Sequence, residues 1–170
     1  DVVAGFYADV CGLQLVRTRS FNHSGPGQHE RYVVSSFARQ IAQAEADGLE
    51  TVTVRTGNTR PSRDFTDVRD VVRGYWLALE RAPAGAYNVC SGRALSVADI
   101  LAALARLSGL EVEQETDPAL LRDKEVMEIR GSHDRLTEAT GWRPELPLER
   151  TLEDTLGYWR ERLGARAVAK

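Results

Sequence analysis

The stretch VRTRSFNHSGPGQHERYVVSSF, residues 16–37, begins as a β-strand, ends as a helix, and fills its middle with Asn, His, Ser, Pro and two Gly. A strand running into a Gly-rich turn and then a helix is the local signature of an open α/β sheet. Such sheets bind ligands just beyond the carboxyl ends of their strands. Taken alone, the segment 22–28 reads either as such a ligand loop or as a plain turn, with Gly supplying positive φ and Asn a local hydrogen bond.

The pattern to either side alternates strand and helix. Residues 13–21 read as one strand, helix 31–47 follows the loop, and TVTVRT (51–56) is a second strand ending at Gly57-Asn58. Asp67 is placed to cap a helix in which Val68, Val71, Val72, Tyr75, Trp76 and Leu79 recur at helical spacing and define an apolar face. AYNVC (86–90) is a short strand. Ser96-Val-Ala-Asp99 forms a capping box for a helix that Gly109 ends, and EVEQET (111–116) reads as an edge strand. Asp117-Pro118 opens a short helix, Ser132 caps another that stops at Gly141, and Leu148, Leu152, Leu156, Trp159 and Leu163 mark the last one. The expected class is α/β.

The chain begins with Asp, inside what reads as an uncapped helix whose face is Val2, Val3, Phe6, Tyr7 and Val10, ending at Gly12. We therefore expect a piece of a longer protein. Its 170 residues, 42% hydrophobic and 28% charged, suffice for one core, and no apolar run approaches the roughly 20 residues of a membrane-spanning helix. A soluble, cytoplasmic protein is expected, with no membrane partner. Net charge −3 argues against a nucleic-acid partner, and the bias of the basic residues toward Arg, with only Lys124 and Lys170 as Lys, is met equally by a GC-rich genome. Cys11 and Cys90 have no CxxC spacing, so neither a disulfide framework nor a zinc site is expected.

Two further polar clusters stand out. GNTRPSRDFTDVRD (57–70) brings Arg60, Arg63 and Arg69 near a helix start, which suits either a phosphate or solvent. LLRDKEV (120–126) sets Arg122 and Glu125 three apart, a cation and an acceptor for one ligand or a solvated pair. His23, His29 and His133 lack metal-site spacing and form no legible catalytic triad, and Asp64, Asp67 and Asp70 read as helix-capping and dipole-compensating residues. No catalytic residue and no metal ligand is assigned.

Together RSFNHSGPGQ, RDFTDVRDVVRGYW, YNVCSG and RLTEATGWRPELPLERTLEDTLGYWR resemble the carboxyl-terminal half of extended short-chain dehydrogenase/reductases, the NAD-dependent epimerase/dehydratase family. Within it the likeness is to the GDP-4-dehydro-6-deoxy-D-mannose reductase and GDP-mannose 4,6-dehydratase branch. The first two motifs are specific to nucleotide-sugar enzymes; the last is widespread. The resemblance implies the carboxyl-terminal part of a Rossmann-like doubly wound sheet plus a smaller substrate-binding α/β domain. Residues 1–56 would be mainly core with an inserted substrate-contacting helix, and 57–170 mainly nucleotide-sugar region with returning core elements.

It further implies NADP(H) or NAD(H), bound mainly by an absent amino-terminal half, with Phe21 and His23 beside it. Asn22, Val33, Ser36, Phe37, Gly57, Asn58, Arg63, Arg122 and Glu125 would contact a GDP-sugar. The usual Arg-Pro-x-Asp/Glu is here Arg122-Asp-Lys-Glu125, without its Pro. The Gly-rich dinucleotide fingerprint and the proton-transferring Tyr-x-x-x-Lys are not in this sequence. The expected function is thus the sugar-nucleotide pocket of an NADPH-dependent reductase of a 4-keto sugar, homodimeric when whole and inactive as this piece. A dehydratase or epimerase is the enzymatic alternative, and a nucleotide-sugar binding module the non-enzymatic one. Half a doubly wound sheet should leave TVTVRT exposing normally buried surface, so that the piece is partly unfolded, aggregates, or needs its other half to crystallise.

Overall fold

The opening stretch is two strands rather than one. In the structure, a computed structural model that describes residues 1–121 and 123–168, with side chains as far as 164, β1 (Val16–Ser20) and β2 (Asn22–Ser24) meet at Phe21. β1 pairs in parallel with β5 (Gly85–Val89), and the Phe21 N–H still donates to Val89 O at 3.0 Å. The chain then changes sheets. β2 pairs in parallel with β4 (Ser62–Asp67), Asn22 opposite Phe65 and Ser24 opposite Asp67. The Phe21 ring packs where Gly131 passes, since a Cβ on Gly131 would lie 2.8 Å from the ring.

β3 (Thr51–Thr56) pairs in parallel with β7 (Glu111–Thr116), and its inward residues Val52, Val54 and Thr56 are buried while the alternate ones face solvent. Three helices cover that inward face: α2 (Val33–Ala46), α4 (Val97–Ser108) and α6 (Leu148–Val168). Ile41, Val54, Leu104 and Leu156 are each fully buried there. This corrects the expectation that TVTVRT lies bare, because the apolar partners of β3 come from this chain's own helices. α4 has both halves of its capping box, and Gly109 ends it at φ 73°. β7 lies at the edge among the described strands, its exposed Glu111, Glu113 and Glu115 discouraging further pairing.

A second, smaller core joins β1 and β5 to α3 (Val68–Arg81) and α5 (Asp134–Thr140), through Val71, Ala78, Tyr87, Val89, Leu136 and Trp142. α3 differs from its expected face. The residues it buries are Asp70, Val71, Gly74 and Ala78, whereas Val72, Trp76 and Leu79 are 59%, 60% and 77% exposed. Small residues win that face because Trp142 presses against it; a Cβ on Gly74 would stand 3.1 Å from Trp142 Nε1. α1 (Val2–Cys11) buries none of its residues, and Gly12 ends it at φ 65°.

The three aspartates do more than cap. Asp67 does cap α3, accepting from Arg69 N at 2.8 Å, and also accepts from Thr151 Oγ1 of α6 at 2.7 Å. Asp70 accepts from Glu145 N and Leu146 N, fixing the turn before α6. Asp64 lies in β4, not in a helix, and accepts from Ser91 N, Ser91 Oγ, Gly92 N and Gly131 N at 2.6–3.2 Å. Four donors satisfy a carboxylate that is almost wholly buried. α5 likewise begins one residue later than expected, with His133 at the cap position and Ser132 Oγ accepting from Asp134 N.

Two short strands complete the mixed sheet on β4: antiparallel β6 (Ala94–Ser96) and parallel β8 (Glu128–Ile129). The one-turn helix at Pro118–Leu120 is opened by Asp117, whose side chain accepts from Ala119 N. Among the described residues no helix is long and apolar enough to cross a membrane, and no group of three or more His, Cys, Asp or Glu is arranged to hold a metal.

Candidate functional site

The loop 22–28 opens at the carboxyl ends of β2 and β4, which run side by side, and walls a cleft of about 650 Å³. Phe21, Asn22, His23, Tyr32, Val33, Phe65 and Val68 line it. The turn fits closely over α3: a Cβ on Gly25 would lie 2.7 Å from Val68 Cγ1, and Gly27 sits at φ 86°. Gly27 is favoured by its backbone conformation, and Gly25 by the close approach of the Val68 side chain. Asn22 and His23 are exposed to the cleft side. His23 Nδ1 lies 3.1 Å from Phe21 O; a carbonyl only accepts, so Nδ1 carries the proton and Nε2 is left without a protein partner among the described residues.

A second cluster forms around Arg63, two residues before Phe65 on β4 and on the same side of the strand by alternation. Parallel pairing of β8 with β4, and the bond from Ser62 N to Met127 O at 2.7 Å, fold the segment before β8 onto the strand. Glu125 is thereby brought to Arg63, with Oε1 3.8 Å from Nη2, while its other oxygen accepts from Asn58 Nδ2 at 2.9 Å. Arg63 Nη1 is steadied by Ser62 O at 2.9 Å. Both side chains are largely buried, at 13% and 19% exposure, so their charges are less screened than those of a surface pair. Gly57 allows the chain to pass Leu120, whose carbonyl would lie 2.8 Å from an added Cβ.

The other expected site residues are dispersed. Val33 lines the cleft, Ser36 is half-buried with its Oγ accepting from Gln40 Nε2, and Phe37 is 2% exposed inside the larger core. Arg122 lies outside the described residues. Of the three arginines grouped from sequence, Arg69 is already committed: it binds the Asp67 and Asp154 carboxylates, whose hydrogen bonds raise its pKa. The start of α3 is filled by the protein's own Asp67, which burial pushes up but which hydrogen bonds from Arg69 and Thr151 hold below its usual range. An external phosphate at that helix start would have to displace this carboxylate. Among the described residues the His29 and His133 side chains bond locally, to Arg31 N and Thr137 Oγ1.

Sequence reasoning missed Phe65, Val68 and Tyr32 as cleft residues. No periodic signal marked Phe65: it is the only apolar residue of SRDFTD (62–67), whose burial does not alternate along the strand.

Comparison with known proteins places the fold in a family. Residues 1–155 match the family of GDP-mannose 4,6 dehydratases. GDP-6-deoxy-D-mannose reductase of Pseudomonas aeruginosa is 40% identical over 153 residues, covering 89% of this chain and 50% of that protein. GDP-mannose 4,6 dehydratase 1 of Arabidopsis thaliana is 27% identical over 149 residues, covering 86% and 41%. The solved structure of RMD from Pseudomonas aeruginosa complexed with NADPH superposes with a TM-score of 0.84 at 36% identity, covering 95% of this chain and 52% of that one. For UDP-glucose 4-epimerase of Thermotoga maritima with UDP-glucose the TM-score is 0.82 at 27% identity, with 95% and 51% covered. The chain spans about half the length of these relatives. It belongs to the GDP-mannose 4,6 dehydratase family, within the extended short-chain dehydrogenase/reductases.

Proposed function

We propose that this chain is the sugar-nucleotide-binding half of an NADPH-dependent reductase that delivers hydride to the C4 ketone of a GDP-4-dehydro-6-deoxyhexose. The observation that carries this reading is the convergence of Arg63, Asn58 and Glu125 beside a cleft of about 650 Å³, with Arg63 and Phe65 on one strand linking the two. Arg63 supplies a partly desolvated cation for a pyrophosphate. Glu125, oriented by Asn58, accepts from ribose hydroxyls, with Arg122 as a second phosphate ligand. Asn22 offers amide donors toward the sugar or pyrophosphate, and Val33, Ser36 and Gly57 shape the nucleotide side, with Phe37 backing them from the core.

A nicotinamide fits at Phe21 and His23: the cleft includes the apolar Phe21, Val33, Phe65 and Val68 in its lining, and His23 Nε2 is without a protein partner among the described residues. When bound, that cofactor supplies the hydride. This chain contributes binding and orientation, and the proton donor, a Tyr of a Tyr-x-x-x-Lys motif, belongs to the other half. The reductase is favoured over the dehydratase by the loop itself, which reads NHSGPGQ where dehydratases carry Glu and paired Arg after Asn-His.

The test is Arg63→Ala in the intact enzyme. The KM for the GDP-sugar should rise by an amount equivalent to about 1.5–3 kcal/mol, the range for a charged hydrogen bond, with NADPH affinity nearly unchanged. Unchanged substrate affinity removes Arg63 from the site and the reading with it.

A further inference from the structure

We infer that Gln28 is a positioning residue, anchored by Ser35 and Trp159, that holds Asn22 and His23 in the cleft. The inference rests on the reading of the cleft given above and extends it to a residue with no assigned role. The loop it serves contains Gly25, Pro26 and Gly27 and is open to solvent at its tip, so its shape has to be imposed.

Gln28 imposes it with both ends of its side chain and both backbone groups. Its Nε2 donates to His23 O at 2.9 Å, and its Oε1 accepts from Ser24 Oγ at 2.8 Å. The Gln28 N–H donates to Gly25 O at 3.2 Å. Its carbonyl accepts from Ser35 Oγ at 2.6 Å, and Ser35 Oγ accepts from Trp159 Nε1 at 2.9 Å. Residues 23–28 thus close into a ring tied to α2 and α6. Ser24, Ser35 and Trp159 are all buried, so no water competes at those three groups.

The amide orientation is fixed by its partners. Rotating it would set Oε1 against the His23 carbonyl, two acceptors in contact. His23 is then held on both sides, by Phe21 O at its ring and by Gln28 at its carbonyl. Asn22 precedes it in the same short strand, paired with Phe65. Displacing such groups by a fraction of a bond length is enough to slow a reaction that depends on alignment.

Gln28→Met keeps the length of the side chain and removes its hydrogen bonds. In the 170-residue chain, hydrogen exchange of amides 23–28 should quicken on the order of tenfold, as expected when local opening becomes easier. Amides of α2 and α6 and the unfolding midpoint should hold. In the intact enzyme kcat should fall on the order of tenfold, while the Kd for GDP, bound at Arg63 and Glu125, stays within about twofold. Ser24→Ala, which removes one bond of the ring, should give a smaller change in the same direction.

Unchanged loop exchange overturns the inference, and so does a loosened loop with unchanged kcat. A uniform loss of every parameter in step with the folded fraction would make Gln28 a stability residue instead. If the intact wild-type enzyme reduces no GDP-4-keto sugar, the functional reading falls, and loop exchange alone decides whether Gln28 holds the loop.

Discussion

Among the described residues two parallel strand pairs stand as separate two-stranded sheets, β3 with β7 and β1 with β5, and they differ in what covers them. The first pair is roofed by α2, α4 and α6, whose apolar faces meet over Val54, Ile41, Leu104 and Leu156. The second has α3 and α5 behind it, but α1 buries nothing, and α3 turns Val72, Trp76 and Leu79 outward. One region is therefore a closed unit that satisfies its own hydrophobic pattern. The other is amphipathic by sequence and left uncovered on its outer face. Burial follows from which elements are present to pack, and helical periodicity alone cannot say that.

The sharpest way to break this contrast is to cut into the closed unit. Leu156→Ala removes a side chain that is 0% exposed and surrounded by the larger core, and should destabilise the chain by about 2–5 kcal/mol, the range for a buried Leu replaced by Ala. Urea unfolding measures it directly. A cost below about 1 kcal/mol would mean that the core around β3 is loosely packed and the two regions are alike.

A chemical contrast comes next. Cys90, just after β5, is wholly buried, and burial, with the Asp64 carboxylate adding to it, pushes its thiol up to about 12. Cys11 lies exposed at the end of α1. At about pH 8 a disulfide reagent should consume one thiol per folded chain, because only a thiolate reacts and Cys90 holds its proton. In denaturant both should react. Two fast thiols in the folded chain would show that the β5 end opens readily, and the smaller core would lose its claim to be packed.

Much of the closed unit was legible in the sequence because its signals are local. The strand 51–56 alternates without interruption, the capping box at Ser96 and Asp99 forms as written, and Gly109 ends its helix with positive φ. Less legible was whatever depends on distant partners. The division at Phe21 exists because β1 and β2 find different strands, β5 and β4, more than forty residues on. β4 itself was hidden among charges, three of which, Asp64, Asp67 and Arg69, are consumed by internal hydrogen bonds. For the site, the residues expected from family likeness divide in the same way: Phe21, Asn22, His23 and Val33 share the cleft, Asn58, Arg63 and Glu125 meet beside it, and Phe37 turns into the core.

The smallest effect belongs to the uncovered face, and it discriminates best. Leu79 on α3 and Phe6 on α1 are 77% and 61% exposed, so replacing either removes little that is buried in this chain. Gln is as good a helix former as Leu and better than Phe, which removes propensity as a confounding cost. Leu79→Gln and Phe6→Gln should each leave the unfolding free energy of the 170-residue chain within about 0.5 kcal/mol, as surface substitutions do. In the intact enzyme we propose that part of the α1 face, among Val2, Val3, Phe6, Tyr7 and Val10, meets a second subunit. There Phe6→Gln should shift the mass measured by light scattering at micromolar concentration from dimer toward monomer, since truncating a buried aromatic anchor is among the costliest changes at an interface. A wild-type enzyme that is monomeric under those conditions would sink the subunit contact, and a large loss of stability in the short chain would show that α1 is docked after all and that the two regions differ less than their exposures say.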